Sequence, residues 1–165
     1  MLLACLTGVN HDHSHCKSRI LEMAEARCRE RGVRLTKQRR RVLEILADSH
    51  HAVGAYEILE RFRPEQNART APITIYRALD FLMENNLAHR LSSLNAFVAC
   101  SASHDKPGTQ LFFCQNCQSV AEISRPAVHH ALNQEARFAD FTLTAQPVEI
   151  PGICAACKTG RPTHD

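Results

Sequence analysis

The sequence has 165 residues, a formal net charge of +3, 44% hydrophobic and 22% charged residues, and no tryptophan. That is the composition of a soluble globular protein with aliphatic cores, and the length excludes more than one domain or two small ones. The charge is uneven: residues 1–91 sum to +4 and residues 92–165 to −1, with eight basic residues against one acid between Arg27 and Arg41. Such a cluster suits phosphate binding or a solvated helical face.

The opening MLLACL run lacks a basic flank and is too short for a secretory leader or a membrane span. The expected location is therefore cytoplasmic, with no membrane partner. In a reducing compartment paired cysteines bind metal or do redox work more often than they form disulfides. Residues 1–17, with His11, His13, His15 and Cys16, show no periodicity and are expected as a mobile tail.

Ser18 precedes RILEMAEARCRERG, in which Ile20, Met23, Ala24, Arg27 and Cys28 recur at helical spacing and Gly32 supplies the stop. Thr36 is the expected N-cap of KQRRRVLEILAD, whose apolar stripe is Val42, Leu43, Leu46 and Ala47. AYEILERF is the third helix, ended by Pro64. In APITIYRALDFLMENN, Pro72 fits the first helical turn, while Ile75, Leu79, Leu82 and Met83 face inward and turn Arg77 away. LAHRLSSLNAFVAC reads as a β-hairpin turning at Leu94–Asn95. These elements make a winged helix-turn-helix over residues 18–100, with the fourth helix placed to enter a DNA major groove.

Residues 101–109 are polar and form the expected linker to a second unit, residues 110–165. LFFCQNCQSVAEI gives two strands around a knuckle, Pro126 opens a helix, and FTLTAQPVEIPG alternates as a strand with Phe141, Leu143 and Ala145 on one face. A domain this short has little core, so a metal and dimerisation are expected to complete it. The fold class is α+β: an N-terminal winged helix and a small C-terminal α/β dimerisation domain.

Cys114 and Cys117 form one C-x-x-C knuckle, Cys154 and Cys157 a second, 36 residues apart. Four thiolates converge on one tetrahedral cation and leave no open position, which specifies a structural zinc site. A dithiol redox centre is the competing reading. It requires an activated cysteine, usually at a helix N-terminus, and FFCQNC follows a strand. No Gly-rich phosphate loop, carboxylate pair or Ser/His/Asp order supports catalysis, so neither enzyme activity nor a small-molecule substrate is expected.

RLTKQRRRVLEIL, AYEILE, TIYRALDFLMENN, the wing HRLSSLNAFVAC and the two knuckles, in that order, resemble the ferric-uptake-regulator superfamily of metal-responsive repressors. AYEIL, YRALDFL and the wing His–Cys pair are most similar to its zinc-uptake branch. The resemblance spans about residues 19–158. It implies a homodimer on double-stranded operator DNA, a structural four-cysteine site, and a regulatory site between the domains. The histidine cluster of iron and peroxide sensors is missing from SHDKPGTQLFFC, which disfavours the alternative of an iron- or peroxide-responsive regulator.

With the hairpin turning at Leu94–Asn95, His89 lies opposite Cys100, close enough for shared coordination. Glu122 is then the third ligand and His104 the fourth, with Asp105 in reserve. The resemblance implies the same wing His, wing-end Cys and Glu, whereas His104 lies nearer the cysteine than the family's linker histidine. This donor set suits Zn²⁺, giving two zinc ions per subunit. On the DNA face, Arg77 is the expected base reader, with Thr74 and Tyr76 beside it. The resemblance adds Tyr56. Arg34, Lys37, Arg39 and Arg40 are the phosphate candidates.

Overall fold

The computed structural model describes residues 13–62, 71–101, 108–144 and 146–160. Helix α1 spans His13–Glu30, α2 Lys37–Leu46, α3 Ala55–Arg61 and α4 Pro72–Glu84. A hairpin of β2, Ala88–Leu91, and β3, Ala96–Ala99, follows, and β1, Val53–Gly54, pairs with the outer side of β3. The second unit comprises β4 Gln110–Cys114, β5 Val120–Ile123, α5 Pro126–Phe138, β6 Val148–Gly152 and α6 Ala155–Thr159.

The helices form where the apolar stripes demand. Ile20, Leu21, Ala24 and Cys28 of α1, Val42, Leu43, Ile45 and Leu46 of α2, and Ile75, Ala78, Leu79, Phe81 and Leu82 of α4 pack into one core with Ile58 and Phe62. The Thr36 hydroxyl accepts from the Arg39 amide at 3.4 Å and caps α2. Gly32, at φ 65, ends α1, with the Val33 amide bonded back to Cys28 and the Gly32 amide to Arg29. That double return requires a left-handed residue, which glycine adopts without penalty.

Three expectations are corrected. Helix α1 begins at His13, five residues before Ser18, so the end of the expected tail is helical; Lys17 there pairs with Asp48 across the α1–α2 packing. Phe141–Thr144 is not strand, and Phe141 is exposed, because β6 starts only at Val148, where it pairs parallel to β4. Ala145 and Pro64 lie outside the described residues. The hairpin register also differs: His89 pairs with Val98, and the Cys100 amide bonds the Leu87 carbonyl at 2.9 Å. A 3-10 turn over Ser92–Leu94, closed by left-handed Asn95, lengthens the loop. A slip of two residues keeps each side chain on its face, so His89 and Cys100 become diagonal rather than direct neighbours.

The two units share a second core. Leu91, Ala96 and Val98 of the wing and Ala52 pack against Leu111, Phe113 and Val120 of the C-terminal sheet. The backbone continues across the same junction: the Val120 amide bonds His50 at 2.7 Å and the Ala52 amide bonds Gln118 at 3.1 Å. The sheet is ordered β5-β4-β6, and its wing-facing side carries Leu111, Phe113, Val120 and Glu122 at period two.

Candidate functional site

Three side chains from both units meet where the wing joins the C-terminal sheet. His89 comes from β2, Cys100 from the end of β3 and Glu122 from β5, all buried, with ligand atoms within 4.8 Å of one another. His89 Nε2 lies 2.9 Å and the Cys100 sulfur 3.5 Å from Glu122 Oε1. The other carboxylate oxygen accepts from the Ser101 amide at 2.7 Å and its hydroxyl at 3.1 Å. Ser101 thereby fixes the carboxylate so that one oxygen faces the histidine and thiol, the outer-shell orientation that metal ligands need. The sequence offered no signal for Ser101 beyond its position next to Cys100. His104 and Asp105, the expected linker ligands, lie outside the described residues.

The second cluster contains Cys114 at the end of β4, Cys117 in the turn before β5, and Cys154 and Cys157 around the start of α6, again within 4.8 Å. The Cys117 and Cys154 sulfurs are 3.7 Å apart. Tetrahedral Zn–S bonds of about 2.3 Å require S···S separations of about 3.8 Å, so this pair already has the spacing of co-ligands. All four thiols are free of disulfides. Cys154 caps α6 and accepts from the Cys157 amide at 3.4 Å. A knuckle cysteine thus does sit at a helix start, contrary to the reading of FFCQNC alone. The convergence of four sulfurs still marks a closed metal site, since a redox pair needs only two.

Burial raises the Cys114 thiol, but hydrogen bonds from the backbone of Cys154, Cys117 and Asn116 outweigh it and lower it to about 6. Cys157 is raised to about 12, chiefly by its hydrogen bond to Cys154, then by burial and by Cys117 and Cys114. A divalent cation binds the four sulfurs as thiolates, so its binding releases protons.

Arg77 and Tyr76 stand exposed on the first turns of α4, with Thr74 half-buried beside them and Tyr56 on α3 77% exposed. Arg34 and Lys37 are exposed as well. Arg29 is exposed too, whereas Arg27, Arg31, Arg39, Arg40 and Arg41 have internal partners. Arg27 and Arg31 donate to the carbonyls of Asn86 and Glu84 at the end of α4. Arg40 pairs with Glu25 and Glu44, and Arg41 with Glu44. Arg39 bonds the Arg34 carbonyl and lies 3.6 Å above the Phe81 ring, tying α2 to α4. Charge counting could not show the contacts of Arg27 and Arg31, or of Arg40 with Glu25, because those acceptors come from other parts of the chain.

The winged helix and the two ligand clusters are the arrangement that the sequence motifs implied, and the family model described as "Ferric uptake regulator family" matches residues 30–150. The chain belongs to the ferric uptake regulator family. Among ferric uptake regulator relatives, the zinc uptake regulation protein of Escherichia coli (strain K12) is 36% identical over 139 residues, covering 84% of this chain and 81% of that protein. A zinc uptake regulator solved in complex with zinc and DNA superposes with a TM-score of 0.77 at 33% identity, over 87% of this chain and 96% of the other. Holo XcZur gives 0.73 at 39% identity, over 84% and 96%. Apo XcZur gives 0.50 at 40% identity, over 86% and 97%. Among the described residues no helix is long and apolar enough to cross a membrane.

Proposed function

We propose that this chain is a cytoplasmic zinc-responsive repressor of zinc-uptake genes, binding operator DNA as a homodimer with two zinc ions per subunit, one structural and one regulatory. The observation that carries the reading is the meeting of His89, Cys100 and Glu122 across the junction of winged domain and C-terminal sheet. One imidazole, one thiolate and one carboxylate suit zinc, and His104 of the linker is the proposed fourth donor. When bound, zinc supplies coordination bonds that tie wing, linker and sheet together. The chain's own part is to hold the ligands: β2 and β3 bring His89 and Cys100 to one face, and Ser101 aims Glu122.

One comparison supports closure as the response. The arrangement of the two units is similar to that of the zinc- and DNA-bound regulator and of holo XcZur, while apo XcZur fits much less well at nearly the same identity. The dimer reading is supported by α5, which among its described residues buries none in its own subunit, and by the exposed Phe138, Phe141 and Val128 nearby. An exposed apolar patch of this kind marks an interaction surface.

In the closed dimer the α4 N-termini enter successive major grooves about 34 Å apart. Arg77 reads guanine, with Thr74, Tyr76 and Tyr56 flanking it, and Arg34 and Lys37 are the foremost phosphate contacts because Arg39 and Arg40 have partners inside the domain. Arg77→Ala is expected to cost about 1–3 kcal/mol and to relax preference at one base pair. Lys37→Ala is expected to weaken all sequences alike and to lower the salt slope by about one. Selection of bound sequences and salt titrations separate the two. Arg39→Ala is expected to lower the melting temperature by an amount worth on the order of 1 kcal/mol, the scale of a cation–π contact, and to leave the salt slope unchanged. The deciding experiment for the whole reading is operator binding against buffered free zinc, with iron and manganese as controls. Equal binding with and without zinc overturns it.

A further inference from the structure

One row across the C-terminal sheet has an acidic residue at each end. Leu111 of β4 pairs with Glu122 of β5 on one side and with Glu149 of β6 on the other, so all three side chains face the wing. Glu122 meets the wing at its base, through His89 and Cys100. Glu149 meets it at the tip: its two oxygens accept from the Ser92 amide at 2.6 Å and the Ser93 amide at 2.9 Å. Those amides open the 3-10 turn Ser92–Leu94, where backbone donors have no partner within the turn. A carboxylate is the preferred acceptor at such a position. The two residues lie 56 and 57 positions away in sequence, so the contact bridges the two units.

We propose that Glu149 is a second, metal-free anchor of the wing, a positioning residue that fixes the wing tip while the His89–Cys100–Glu122 cluster fixes the wing base. A hairpin held at one end pivots; a hairpin held at both ends has one orientation relative to the sheet. Leu91 and Leu94, next to the anchored amides, pack into the shared core and exclude water from the apolar side of the contact. Partial burial raises the Glu149 carboxyl, but the Ser93 and Ser92 hydroxyls and amides outweigh it and hold the group below the usual carboxylate range. The anchor favours the same closed arrangement as the regulatory metal, so by linkage its loss raises the zinc needed for operator binding. This consequence rests on the zinc-switch reading above; the anchor itself does not.

The test uses the full-length dimer, wild type and with E149Q, S92P or both. E149Q keeps the side-chain size and removes the charge. S92P removes one donor from the other side of the contact, and Leu91 at φ −97, ψ 103 already has the extended conformation that precedes proline. Hydrogen–deuterium exchange of the wing peptide over residues 92–95 is expected to quicken in E149Q; unchanged exchange overturns the anchor, whatever zinc does. Half-maximal operator binding is expected to require about fivefold or more additional free zinc in each single variant, with zinc bound at the four cysteines unchanged. Curves that superpose on wild type, or tighter operator binding in E149Q, overturn the positioning role. The double variant should lose no more than either single one, and additive losses also overturn it. Should wild type itself bind operator independently of zinc, the switch reading fails and exchange alone decides the anchor.

Discussion

Cys114→Ser is expected to release one tightly held zinc per subunit and to unfold the C-terminal domain. The reason is the imbalance between its core and its metal. Within residues 108–144 and 146–160 the buried hydrophobic side chains are Leu111, Phe113, Cys114, Val120 and Ala121, and α5 contributes none. Four-cysteine zinc binding is worth about 10–16 kcal/mol in small domains, comparable with or above the whole net stability of about 5–15 kcal/mol typical of a folded domain. Cys114 is also the most buried of the four and receives the Cys154 amide at 3.4 Å, so its sulfur joins β4 to the start of α6. Metal content by mass spectrometry and the thermal transition of the C-terminal unit test the prediction together. A variant that stays folded with unchanged zinc overturns the structural assignment.

His89→Ala or Cys100→Ser is expected to remove the zinc dependence of operator binding while leaving the four-cysteine zinc and the fold in place. Coupling between two ligands through a shared closed state is typically about 1–3 kcal/mol, or roughly 5–150-fold in affinity. The variants should therefore bind operator at about the level of zinc-free wild type at every zinc concentration. Cys100→Ser is the cleaner of the two, since it nearly preserves volume next to Val98 and Ser101 and exchanges a soft donor for a poor one. Operator titrations at buffered free zinc, with metal content measured in parallel, give the answer. A variant that retains the full zinc response places the switch elsewhere.

Much of the fold could be read along the chain because its causes are local. Thr36 as cap, Gly32 as stop, Pro72 in a first turn and the stripe of Ile75, Leu79 and Leu82 each depend on residues within a turn or two. The C-x-x-C spacing is equally local, and four cysteines have few other uses in a reducing compartment. The errors fall where the cause is distant. Helix α1 extends to His13, ahead of the apolar stripe that starts at Ile20, and there Lys17 meets Asp48. Phe141 and Leu143 alternate like a strand yet have no strand beside them, since β4 receives β6 only from Val148 onward. The hairpin register depended on the left-handed Asn95, which no periodicity reports.

By itself, then, the sequence determined the winged helix, the pairing of the knuckles and the identity of His89, Cys100 and Glu122 as candidate ligands. Only the tertiary structure decided which of its charges are available and how its halves are joined. Arg27, Arg31, Arg39 and Arg40 became internal contacts, while Arg29, Arg34 and Lys37 stay exposed, and Glu149, silent in the sequence, accepts from the amides of the wing tip. The physical reason is the same in each case. Helical and strand periodicity encode which face is buried, whereas a salt bridge or an interdomain hydrogen bond requires two groups brought within about 3 Å, and for distant residues only the folded chain sets that distance.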